Sequence, residues 1–66
     1  MDWQKGDVVK VETKTTLQYL LVLEGENDVL KHKHKMYKVY NIGLGFMFQS
    51  AMRSDEIFKF TLHSRN

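Results

Sequence analysis

Apolar and polar positions alternate through most of this chain, and the alternation predicts strands. Residues 7–12 read Asp-Val-Val-Lys-Val-Glu. Val9 and Val11 fall on one side and Lys10 and Glu12 on the other, the pattern of a half-buried strand. A second strand is predicted over 17–24, where Leu17, Tyr19, Leu21 and Leu23 make one apolar face and Leu20 and Val22 the other. Leucine also favours helices. The run is short, however, threonines precede it and Gly25 follows it, so a strand is expected. Residues 13–16 are polar and β-branched and read as a loop or a continuation of the first strand. Lys5-Gly6-Asp7 and Gly25-Glu26-Asn27-Asp28 are turn signals. Trp3, the one large group of the lead-in, is expected to fold over an open end of the core; a platform for a stacked base is its sharper alternative.

Residues 36–49 organise the rest. Two apolar, aromatic-rich runs flank Gly43-Leu44-Gly45, the signature of a β-hairpin. Two registers are open. A three-residue loop, with glycine where φ must be positive, pairs Ile42 with Phe46 and Tyr40 with Phe48. A two-residue loop, Gly43-Leu44, sets Val39 opposite Phe48 instead, and the change moves one strand's side chains to the opposite face relative to its partner. The first is preferred, because it gathers Tyr40, Ile42, Phe46 and Phe48 on one apolar face. Beyond the hairpin, residues 50–56 hold the one candidate helical turn, with Ser54 before Asp55 and Glu56 as its cap. Residues 57–62 form a last strand, with Phe58, Phe60 and Leu62 on one face.

Five short strands in 66 residues bury an apolar face only by curling. The expectation is one all-β domain: a small five-stranded barrel or a strongly curled antiparallel sheet, with a short helical turn before the last strand. Lys5-Gly6-Asp7-Val8-Val9-Lys10-Val11 as first strand, and the link over residues 50–56 before the last, make the layout resemble the SH3-like small barrels, including the KOW and Tudor types. That resemblance implies a module that binds RNA, DNA, peptides or other proteins and seldom catalyses.

Composition narrows the chemistry. No cysteine is present, which excludes disulfides and thiolate metal sites and fits a cytoplasmic location. The longest apolar stretch, residues 19–23, is too short to cross a bilayer. The polar, acidic start at residues 1–5 does not read as a signal peptide. A net charge of +2 is well short of a chain dominated by phosphate neutralisation. A core this small supplies only about 3–5 kcal/mol, a deficit that oligomerisation often makes good.

Four surfaces are candidates for function. Lys31, Lys33, Lys35 and Lys38, interleaved with Tyr37 and Tyr40, suit a nucleic-acid backbone with stacked bases; neutralisation by Glu24, Glu26 and Asp28, with Glu24 beside Lys31, is the plainer reading. His32 and His34 point to one side of a strand and would share a Zn²⁺ or Ni²⁺, with His63, Asp28 or Glu26 as further ligands, but four nearby lysines oppose a cation. No metal or other cofactor is therefore expected. No enzyme is expected either: neighbouring Asp55 and Glu56 face opposite ways on a strand, and Ser50, Ser54 and His63 have no spacing that assembles a triad. The fourth surface is the apolar face opposite the preferred core, with Leu20, Val22, Tyr37, Val39, Met47 and Ile57; its plainer reading is burial within one chain by strong curl and the terminal segments. It predicts a protein-binding module that engages another protein or a second copy of itself as a homodimer. Nucleic-acid binding through residues 31–38 is the alternative.

Overall fold

Alternation does produce strands. In the computed structural model, which describes residues 3–27 (without the side chains of 25–27) and 36–65, five of them form one antiparallel sheet. They are β1 (Val8–Glu12), β2 (Leu17–Asn27), β3 (Met36–Asn41), β4 (Phe46–Ser50) and β5 (Lys59–Ser64), in the order β4-β3-β2-β1-β5. The last strand thus returns to pair with the first, leaving β4 and β5 as the two edges.

Parity of the connections decides which face is inside. Glu12 pairs with Leu17 across a four-residue loop, so Val9 faces Leu20 and Val11 faces Gln18. Leu20 pairs with Asn41 and Val22 with Val39. The hairpin pairs Asn41 with Phe46 and Val39 with Phe48, again across four residues. The inner face therefore takes odd positions from β1 and β3 and even positions from β2 and β4. Its core is Val9, Val11, Leu20, Val22, Tyr37 and Val39, closed by Trp3 and Met52.

This corrects two expectations. The observed register is the one that sets Val39 opposite Phe48, not the preferred one. The face built on Leu17, Tyr19, Leu21 and Leu23 is the outer one, with Leu17 exposed. The physical reason is volume. The inside of a tight curl has little room, and four valines with one leucine and one tyrosine fill it; the bulkier leucines sit on the convex side, where strands diverge. Leu23 falls at a bulge in the β2–β3 pairing, which adds twist at that end.

The ends are fastened. Trp3 is buried, as expected of a lid. Its indole Nε1 donates to the Met52 carbonyl (3.0 Å), and its backbone N–H donates to the Tyr37 hydroxyl (3.3 Å). Met52 takes a left-handed φ of 51°, a conformation that costs a non-glycine residue roughly 1 kcal/mol; it turns the side chain into the core and the carbonyl toward Trp3. No helix forms over residues 51–58. The capping chemistry is present but closes a tight turn instead. Asp55 Oδ1 accepts from the N–H groups of Ile57 (2.8 Å) and Phe58 (2.7 Å). β2 runs on through Gly25 to Asn27, where a turn was expected, and β5 begins two residues later than the alternation suggested.

Candidate functional site

All four phenylalanines of the chain flank the line where the sheet fails to close. They come as two Phe-x-Phe pairs, Phe46 with Phe48 and Phe58 with Phe60. Phe46 and Phe48 share one face of β4 because a strand repeats every two residues; the register puts Phe48 opposite Val39 and Phe60 opposite Val11 on the concave side, and Phe58, just before β5, lines the same groove. In a flat sheet β4 and β5 would lie roughly 19 Å apart. Here Phe48, Phe58 and Phe60 line one groove of about 250 Å³ together with Val11 and Leu20, and among the described residues its only polar side chains are Gln18 and Ser50. The sheet is therefore strongly curled. It is still open, since no Cα of β4 comes within 8 Å of a Cα of β5. Phe48 and Phe60 pack against the core, while Phe46 and Phe58 remain 48% and 45% exposed. The rings of Phe46 and Phe48 tilt against one another with centroids 5.4 Å apart.

Two buried polar groups hold this arrangement. Asn41 lies inside at the head of the hairpin. Its Nδ2 donates to Gln18 Oε1 (3.2 Å), and its Oδ1 accepts the Leu44 N–H (2.9 Å). Asp7 is 1% exposed, and Arg65 grips it with two bonds, Nε to Oδ1 (3.0 Å) and Nη2 to Oδ2 (2.9 Å). The Gln4 N–H also donates to Asp7 Oδ2 (2.9 Å). The guanidinium beside Asp7 holds its carboxyl below the ordinary carboxylate value, against the opposing effect of burial.

The residues predicted for a protein interface are dispersed. Leu20, Val22, Tyr37 and Val39 are core, not surface. Met47 is exposed on the convex side of β4, opposite Tyr40. Ile57 is exposed elsewhere, in a shallow hollow with Thr13, Lys14 and Thr15. Of the predicted nucleic-acid set, Lys31, Lys33 and Lys35 lie outside the described residues. Tyr37 is inside the core, so its ring offers no stacking surface; Lys38 and Tyr40 are half-buried on the convex face. Glu24 stands opposite Lys38. His32 and His34 also lie outside the described residues. His63 packs edge-on against Tyr19, with ring centroids 4.9 Å apart. Among the described residues no three His, Asp or Glu side chains are grouped to hold a metal.

The groove lined by Phe48, Phe58 and Phe60 was missed because its halves are ten residues apart and only the β1–β5 pairing unites them. The twin Phe-x-Phe spacing was the signal that marked both strands as sharing a face. Comparison with protein-family models, with curated proteins and with solved structures gives no match. Among the described residues no helix is long and apolar enough to cross a membrane.

Proposed function

We propose that this chain is a non-catalytic module of SH3-like layout that binds another protein through the open line between β4 and β5. The strand order β4-β3-β2-β1-β5, with the last strand returning to the first, supports the layout. The observation that carries the function is the groove. A chain with so small an interior leaves Phe58, in the groove wall, and Phe46, tilted against the groove residue Phe48, about half exposed, although aromatic rings are the residues whose burial stabilises most. Aromatic side chains clustered beside a pocket are what protein contacts are built around.

The test is selection of a phage-displayed library of random decapeptides on the immobilised full chain. The expected binders lose more than about tenfold in affinity, about 1.4 kcal/mol, against Phe46→Ser and against Phe58→Ser, while both variants keep a cooperative thermal transition. A selection that returns nothing above background rejects the reading. So do binders indifferent to both substitutions.

A further inference from the structure

We infer that the partner enters as one extended strand that adds to the edge of β4, which the described residues leave unpaired, and lays alternate uncharged, apolar side chains into the phenylalanine groove. The inference rests on the protein-binding reading above and specifies its mode. Three observations carry it.

The first is width. Neighbouring strands lie about 4.8 Å apart, so a single strand between β4 and β5 needs roughly twice that spacing. The two edges are separated by more than 8 Å at every Cα. They are too far apart to pair with each other, so among the described residues the outward backbone groups of β4 are left for another strand.

The second is the contrast between the edges. β5 is guarded: it carries Lys59, it is bulged against β1 between Val8 and Val9, and Ser54 occupies its outer rim. The Ser54 hydroxyl accepts the Phe60 N–H (2.9 Å) and donates to the Phe60 carbonyl (3.3 Å). β4 has none of these protections. Phe46-Met47-Phe48-Gln49-Ser50 contains no charge and no proline, and its register against β3 runs without a shift. Among the described residues its backbone bonds only to β3. Regular, uncharged edges of this kind accept further strands, which is why proteins usually block them.

The third is charge. Among the described residues no ionisable side chain lines the groove, so a charged residue pointing inward would lose its hydration with nothing to compensate it. The inward positions of the partner are therefore apolar and neutral, at every second residue. A groove of about 250 Å³ holds two or three such side chains and not the face of a folded domain.

The experiment uses the enriched decapeptide from the selection as a synthetic probe, with its backbone amides N-methylated one at a time. Strand addition predicts an alternating profile: methylation at every second amide weakens binding more than about tenfold, and methylation of the amides between leaves it within about twofold. Amide hydrogen exchange on the full chain should slow in β4 when the probe binds. A flat profile with binding still lost in Phe46→Ser and Phe58→Ser overturns strand addition and leaves the protein-binding reading standing. Light scattering that shows a dimer whose dissociation is required for probe binding overturns it as well, because a second copy then holds the edge. Failure of the selection itself removes both.

Discussion

Asp7 is the residue on which the ends of the chain converge. Its carboxylate sits inside the fold, takes two bonds from Arg65 and one from the Gln4 backbone, and so joins the start of β1 to the end of β5. Cutting Arg65 back to alanine leaves a buried anion with one donor. The expected loss is about 1–2 kcal/mol, kept modest because the Arg65 side chain is partly in solvent, and a urea titration measures it. The pH dependence has a definite sign. The carboxyl titrates below its unfolded-state value, so its contribution is complete above about pH 4 and fades as pH falls through the lowered native value. In Arg65→Ala that value moves back up. Acid unfolding should then begin at a higher pH than in the wild type; identical acid transitions would refute the role assigned to the pair.

At the scale of the element, turns outrank strand composition. Each strand was legible from alternation, and Val9 and Val11 pointed inward as read. What failed was the transfer of that information from one strand to the next. A four-residue connection reverses the parity of inward positions and a three-residue one preserves it, and the difference between them is a single residue at Gly43-Leu44-Gly45. Size was the misleading cue: Leu17, Leu21 and Leu23 outbulk Val22, yet a narrow curl prefers the valine. The buried Asn41 was equally hard to foresee, since its bond to the Leu44 N–H is local to the hairpin but its inward partner Gln18 lies on β2. Of the hairpin glycines only Gly45 needs its freedom, with a φ of 77° and its N–H bonded to the Asn41 carbonyl (2.8 Å). Gly45→Ala should cost about 1–2 kcal/mol. Gly43→Ala should cost less than half of that, because the added methyl meets only Asn41 Oδ1 at 3.7 Å. Equal melting temperatures for the two variants would contradict the observed loop.

For the whole molecule, the small interior sets both stability and exposure. A core with eight buried apolar side chains among the described residues supports a total of only about 3–5 kcal/mol. Val39→Ala, at the centre of the sheet, removes about 2 kcal/mol and should lower the urea midpoint to roughly half its wild-type value. The single tryptophan reports this directly. Trp3 is shut between Met52 and Tyr37, so its emission should lie at short wavelength and move to the red in one step with the loss of circular dichroism. Two separate steps would mean that the lid opens before the sheet does. The same shortage of interior leaves Phe46 and Phe58 at the surface. Neither the exposure nor the gap beside it could be read from composition, because both depend on where the curl stops.

The turn that buries Met52 also shields its sulfur from oxidants. Met52 is 3% exposed and Met47 60%, and thioethers oxidise where peroxide reaches them. A short peroxide pulse should therefore oxidise Met47 and leave Met52 reduced, as peptide mass mapping would show. Sulfoxide at Met52 then accumulates only while Trp3 is lifted away, so the ratio of the two modified peptides becomes a clock for how often this fold opens.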